Sequence, residues 1–351
     1  MDIGSIHHMQ LPREVFVGEG VLGQINTICK RFGFKSVFIL TGSHIFDIIT
    51  KDVITSLRED GFQVTHCIVR DSDINTVDQA INTIENLKPD VVLGIGGGKV
   101  IDVAKLAASE KTTPFMSIPT ALSHDGISSS RASIKGLTGP MSIETQAPIV
   151  IIGDVRVIFR SPYRLTASGC GDIISKYIAV NDWKLAHKNR GEYYGDYAAN
   201  LALMSAKLIM KYANVIGERK EEGLKIVLEA LLSCGVAISI AGSSRPCSGS
   251  EHLFSHALDL IAPKPALHGE QCGVGSIMMA YLWKANWKSL KDKLQTIGVP
   301  TTAKELHVDE DCIIDALVLA RDIRPDRYTI LNVKNLDKSA AKKLASLTEV
   351  I

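Results

Sequence analysis

The chain has 351 residues, room for about two domains of ordinary size. Hydrophobic residues make up 46% and charged residues 22%, proportions that exclude a disordered or fibrous polypeptide. Lys plus Arg number 39 against 38 for Asp plus Glu, a net charge of +1, so no broad field recruits nucleic acid or an anionic membrane, and a small-molecule partner is expected.

At the N-terminus, MDIGSIHHMQLPREVF has neither the basic nor the apolar region of a secretory signal, which leads to the expectation of a cytoplasmic protein. Three β-branched-rich runs follow, Val37 to Leu40, Val64 to Val69 and Val91 to Ile95, each starting 27 residues after the one before. Helical patterns lie between them, Ile45 to Glu59 after the Thr41-Gly42-Ser43 turn, and Val77 to Leu87 after Asn75-Thr76, with Pro89 as a stop. This βαβ rhythm predicts a doubly wound parallel sheet, extended by strands at Phe115 to Ile118 and Pro148 to Ile152. An inserted hairpin is expected between those two strands, turning over Lys135 to Gly139.

Beyond Pro162 the texture becomes helical, with apolar residues at three-to-four spacing over Leu165 to Ala186, Tyr193 to Tyr212, Gly223 to Ala241 and Cys272 to Trp287. The expected division is a dinucleotide-binding α/β domain over 1–160 and an all-helical metal- and substrate-binding domain over 161–351, with a cleft between them. The stretch Ala230 to Ala241 is interrupted by Ser233, Cys234, Gly235 and Ser239 and falls short of the roughly 18 apolar residues of a membrane span, so a buried helix is expected there and no membrane span. The seven cysteines are scattered and contain no C-x-x-C, which argues against a disulfide framework and a thiolate zinc site and for small buried side chains.

Chemistry concentrates in four places. After the third run, Gly94, Gly96, Gly97 and Gly98 precede a helix opening near Lys99, an arrangement that lets a pyrophosphate approach backbone N–H groups, with Lys99 adding charge and Asp102 orienting the turn. The dinucleotide fingerprint would need glycine at Lys99 and the P-loop a hydroxyl at Val100, so neither template is met, and a tight ligand-free connection shares this composition. The loop Ser117 to Arg131 is dense in hydroxyls: Thr120, Ser123 and Ser129 are candidates for cofactor contacts and Asp125 for a substrate hydroxyl, with a solvated connector as the alternative. His252 and His256 lie one helical turn apart, His268 follows a proline-containing loop, and Asp172, placed at a helix start, is the natural carboxylate partner. By spacing alone these histidines are equally cap or core residues.

In this order, the segments GGGKVID, PTALSHDGISS, GCGD, SGSEHLFSH and LHG resemble the sn-glycerol-1-phosphate dehydrogenases of the metal-dependent polyol and iron-type alcohol dehydrogenase superfamily, from FVGEG at Phe16 to about residue 330. PTALSHDG and RPCSGSEH are the specific part, since glycerol dehydrogenases resemble the chain mainly at the glycine turn and the metal positions. The resemblance implies the dehydroquinate synthase-like fold of that superfamily and reversible reduction of dihydroxyacetone phosphate to sn-glycerol 1-phosphate with NAD(H) or NADP(H), the step that founds archaeal phospholipid backbones. It implies one zinc ion per subunit on Asp172, His252 and His268, with substrate on Asp125, Asp172 and His256, and all four of Asp172, His252, His256 and His268 taking part in catalysis. Cofactor would lie on Gly96, Gly97, Gly98, Lys99, Val100, Ile101, Asp102, Thr120, Ser123 and Ser129. Iron-type enzymes carry a fourth histidine ligand four residues after the aspartate, where this chain has Lys176, which favours three protein ligands. An aspartate with two histidines also suits iron, though zinc fits a non-redox Lewis acid. Arg245, Arg131 and Lys176 are the cations near these motifs for a substrate phosphate, and a homo-oligomer is expected. Gly42, where the superfamily places a ribose-binding acid, predicts acceptance of both NADH and NADPH, unless Asp71 or Asp73 enforces NADH. The alternatives are a polyol dehydrogenase without a phosphate requirement, a cyclising lyase of the dehydroquinate synthase type, and a non-catalytic sensor.

Overall fold

A computed structural model of the protein describes residues 9–136 and 139–351. Its sheet holds β1 (Glu14–Gly18), β2 (Ser36–Thr41), β3 (Gln63–Ile68), β4 (Val91–Gly96), β5 (Phe115–Pro119) and β8 (Val150–Asp154), ordered β1-β8-β5-β4-β2-β3 and parallel throughout. The inner strands β2, β4, β5 and β8 are apolar almost without interruption because both faces are covered. Val37, Ile39, Leu93 and Ile95 pack on Ile25, Ile28, Val53 and Leu57, from α1 (Ile25–Phe32) and α2 (Lys51–Glu59). Phe38, Leu40 and Val92 point the other way, onto Val77, Ala80, Ile101 and Ala104, from α3 (Ile74–Leu87) and α4 (Gly98–Glu110). The two-residue period of the strands thus sorts one sequence into two cores.

β1 is not predicted above. It is a half-exposed edge strand whose partner lies far along the chain, with Gly18 opposite Asp154, so its pairing leaves no local signal. The expected helix Ile45 to Glu59 is broken, a single turn at Ser43–Ile45 and a wider π turn at Phe46–Thr50 preceding α2. The N-cap of α3 is Asp73, whose carboxylate accepts from the Thr76 N–H, rather than Asn75 or Thr76. β6 (Arg131–Gly136) and β7 (Gly139–Glu144) pair antiparallel as the inserted hairpin, with residues 137 and 138 of its turn outside the described residues, as are residues 1–8 of the N-terminal segment.

From Pro162 onward the described chain is helical: α5 (Tyr163–Arg190), α6 (Asp196–Lys211), α7 (Glu221–Ala241), α8 (Ser250–Ile261), α9 (His268–Leu282), α10 (Trp287–Ile297), α11 (Glu310–Ile323) and α12 (Lys338–Leu347), with shorter turns between. The predicted run Cys272 to Trp287 is in fact α9 and the start of α10, separated where Lys284 takes a left-handed conformation and Asn286 caps the next helix. α7 begins well before Ala230. It is the one helix among the described residues long and apolar enough to cross a membrane, yet 67% of its most apolar window is buried inside the protein, so it serves as a core helix.

Candidate active site

Asp172 does not begin a helix, as expected from sequence, but lies well inside α5, which starts at Tyr163. His252 stands in the first turn of α8 and His268 opens α9. Close crossings bring these three elements together. A Cβ on Gly171 would stand 2.2 Å from the Gly269 carbonyl oxygen and one on Gly269 1.8 Å from that of Ser168, so the absence of side chains beside both Asp172 and His268 lets α5 and α9 touch backbone to backbone. A Cβ on Gly275 would meet Phe254 at 2.9 Å and the Glu251 carbonyl at 3.1 Å, which seats α8 against α9.

The ligating atoms of Asp172, His252, His268 and Cys272 all lie within 4.8 Å of one another. His252 Nε2 is 3.4 Å from Asp172 Oδ1, and Cys272 Sγ is 3.6 Å from His268 Nε2. The remaining imidazole nitrogens are held from behind: His252 Nδ1 is 2.8 Å from Glu251 Oε1, and His268 Nδ1 is 3.2 Å from Ser255 Oγ, which in turn receives a hydrogen bond from Gln271. This leaves both Nε2 atoms facing the cluster. Burial disfavours the Asp172 anion, but Lys176, whose Nζ is 2.6 Å from Oδ1, holds its carboxyl well below the usual range. Burial, followed by the neighbouring His252, pushes His268 well down. Burial disfavours the His252 cation, but Cys272, Asp172 and Glu251 around it raise its pKa well above the usual range, so without a metal one proton is held among these donors. A divalent cation, which coordinates the carboxylate and neutral imidazoles, fits this set by displacing that proton. Cys272 was not anticipated; its position one turn after His268 on α9 is the sequence signal that could have found it.

A cleft of about 330 Å³ opens beside the cluster, lined by Lys99, Asp102, His124, Asp125, Ser129 and Arg131 from the sheet half and by Ser248, His252, His256, His268 and Arg324 from the helical half. Asp125 holds Lys176 at 2.9 Å through Oδ2. His256 Nδ1 is buried 3.8 Å from Asp259, with no hydrogen-bond partner among the described residues, and its ring stacks 5.7 Å from that of His268. Burial lowers the His256 pKa, with Asp259 opposing.

The glycine turn divides by role. Gly94 is pressed between Ala104 and Phe115, Gly96 against Val100, and Gly98 against His124, whose Nε2 a Cβ would approach to 2.0 Å; these are packing glycines. Gly97, the N-cap of α4, faces open space, where a ligand can approach the backbone. Of the other cofactor candidates, Val100 and Ile101 are buried in the first turn of α4, Thr120 donates its N–H to the Gly96 carbonyl, and the carbonyl of Ser123 accepts from Ser168; none of these four lines the cleft, whereas Lys99, Asp102 and Ser129 do. Lys99 is drawn to Asp71, and Asp102 is buried beside Lys105 and His124. Two of the proposed phosphate cations are engaged elsewhere: Arg245 pairs with Glu192 away from the cleft, and Lys176 lies beneath it between Asp125 and Asp172. Arg131 remains, joined by Arg324, which the sequence reading did not single out.

Residues 16–162 match the family described as iron-containing alcohol dehydrogenase. The chain is 50% identical to glycerol-1-phosphate dehydrogenase (NAD(P)+) of Thermococcus sibiricus over 347 residues, covering 99% of each protein. It is also 50% identical to the enzyme of the same name from Methanothermobacter thermautotrophicus over 344 residues, covering 98% of this chain and 99% of that one. Among solved structures, glycerol dehydrogenase from Schizosaccharomyces pombe superposes with a TM-score of 0.82 at 21% identity over 99% of this chain and 91% of its own, a likeness of fold. With half of its residues shared along essentially its whole length, the chain belongs to the glycerol-1-phosphate dehydrogenase family.

Proposed function

We propose that the protein catalyses the reversible reduction of dihydroxyacetone phosphate to sn-glycerol 1-phosphate with NADH or NADPH. The observation that carries this reading is the buried convergence of Asp172, His252 and His268 at a cleft whose opposite wall holds Lys99 and Asp102, just after the glycine turn, in a chain half-identical to enzymes of that name. Asp172, His252 and His268 would hold a zinc ion, with Cys272 adjacent. When bound, the ion supplies Lewis acidity at the ketone oxygen. Glu251 and Ser255 orient the two imidazoles, and Lys176 balances the charge of Asp172 and Asp125. His256, whose Nδ1 stands 3.8 Å from Asp259, lines the cleft to bond a substrate hydroxyl or move a proton, and Asp125, also in the lining, serves the same substrate. The open backbone at Gly97, within the Gly96–Asp102 turn, receives the pyrophosphate, and Thr120, Ser123 and Ser129 complete the cofactor site.

The same reading divides the chain into a nucleotide-binding domain over 1–160 and a metal-binding domain over 161–351. A cytoplasmic homo-oligomer fits it: all seven cysteines are free thiols, and α6 exposes Tyr197 and Met204 where a second copy would cover them. The product would supply archaeal-type phospholipid backbones.

The test is a chiral product assay with dihydroxyacetone phosphate and NADPH on chelated enzyme to which zinc is restored. Stoichiometric cofactor oxidation with the sn-1 enantiomer as product is expected. The sn-3 enantiomer, or turnover without net cofactor consumption, overturns the reading.

A further inference from the structure

Of the lysine and arginine side chains that line the cleft, Lys99 and Lys135 are both drawn to Asp71, at 3.2 and 2.8 Å. Among the described residues the Arg131 guanidinium has only the exposed Glu144, at 3.7 Å. The Arg324 guanidinium makes no hydrogen bond or ion pair with a described residue, although the residue is half-buried. It stands at the C-terminal end of α11, and the packing of α11 along α8 carries it to the same cleft wall as His256.

A guanidinium withdrawn from water without an acceptor is costly, and here a second one lies close enough to add to the cost. Burial holds the Arg324 guanidinium below its ordinary range, Asp326 opposes this, and Arg131 lowers it further. The carboxylates of the cleft do not answer that charge: Asp125 is held by Lys176, Asp102 by Lys105, and Asp259 accepts from Gln271. What is missing is a mobile anion with several acceptor oxygens, which two planar forks are suited to grip.

We propose that Arg324 and Arg131 form the subsite that receives the phosphate of the substrate, an inference resting on the reading of the reaction given above. Their placement beside His256 sets the phosphate at one end of a short substrate whose carbonyl lies toward Asp172, His252 and His268. The pair thereby decides between a phosphorylated and an unphosphorylated triose.

The experiment measures kcat/KM of the zinc-loaded enzyme for dihydroxyacetone phosphate and for dihydroxyacetone, in wild type, Arg324→Ala, Arg324→Lys and Arg131→Ala. In Arg324→Ala the ratio of the two values is expected to fall at least about tenfold, the order a charge-assisted hydrogen bond supplies, with partial recovery in Arg324→Lys. A merely structural lesion lowers both values together and leaves the ratio in place. Inorganic phosphate, tested as an inhibitor of dihydroxyacetone turnover, is expected to weaken by a similar factor in Arg131→Ala, which keeps the test open if Arg324→Ala does not fold. A wild type that prefers the phosphorylated substrate, with its ratio intact in Arg324→Ala or its phosphate inhibition intact in Arg131→Ala, overturns the subsite. A wild type without that preference overturns the proposed reaction itself.

Discussion

The Lys176 ammonium bridges two carboxylates, 2.6 Å from Asp172 Oδ1 and 2.9 Å from Asp125 Oδ2, with no exposed surface of its own. It occupies the position, one turn after Asp172, where the resemblance to iron-type enzymes places a fourth histidine. A cation there cannot ligate a metal, and it lets two acidic groups stand together before any metal arrives. Removing one partner of a buried pair leaves the other uncompensated, at about 3–5 kcal/mol. Lys176→Ala is therefore expected to lower the unfolding free energy of chelated enzyme by about that amount. Zinc, binding the folded state, should recover part of the loss. Chemical denaturation with and without zinc measures both, and an unchanged midpoint in chelated enzyme would count against the pairing.

His268 and His256 stack at 5.7 Å yet are assigned different work. His268→Ala should lose bound metal and activity together. His256→Ala should keep its metal while turnover falls about 10²-fold, the lower range for loss of a general acid–base group. Metal analysis beside steady-state kinetics separates the two; metal loss in the second variant would make His256 a ligand.

Gly97 faces open space, so a side chain there clashes with no described residue and would meet a dinucleotide bound at the turn as proposed. Gly97→Val is expected to raise the KM for the dinucleotide about tenfold or more, since the lost backbone contact is charge-assisted, with zinc content unaltered. An unchanged cofactor KM would remove the turn from the pyrophosphate site.

Cofactor choice hinges on Gly42, which caps a short turn after β2 in extended conformation and whose Cβ would meet only Val100, at 3.8 Å. The backbone there accepts any residue. Asp71 is occupied by Lys99 and Lys135, and Asp73 caps α3, so neither is free to enforce NADH. Wild type is expected to use both cofactors, and Gly42→Asp to reject NADPH. Comparing kcat/KM for the two cofactors checks this; strong rejection of NADPH by wild type would contradict it.

Asp182 lies fully buried behind the site, accepting from the Ser250 and Ile330 N–H groups, and burial, with Glu251 nearby, pushes its carboxyl up to about 7. Because the folded pKa is raised above the unfolded one, its stabilising contribution is complete below the unfolded value near 4 and is lost as pH rises through about 7. Wild type should therefore lose stability between pH 5 and 7, inside the window between the two values, by at most about 1.4 kcal/mol per pH unit from this group, and Asp182→Asn should flatten that dependence. Urea midpoints at the two pH values decide; equal slopes in both proteins would exclude Asp182 as the source.

The sequence by itself determined the elements whose signal is local. The alternation within Val37 to Leu40 marks a strand covered on both faces, and the turn-spaced pair His252 and His256 marks one face of a helix. The chemistry-bearing segments were legible too, since residue types adjacent in sequence, such as SGSEH and LHG, stay adjacent in space. The tertiary structure alone decided what depends on distant approach. β1 acquires its meaning only from β8, and Asp172 meets His268 only because Gly171 and Gly269 let α5 and α9 close to backbone contact. Arg245, promising beside its motif, is consumed by Glu192, whereas Arg324, far from every motif, is delivered to the cleft by the packing of α11 on α8. Periodicity reports the face a residue presents, but which charge finds a partner and which is left for a ligand is settled by long-range packing.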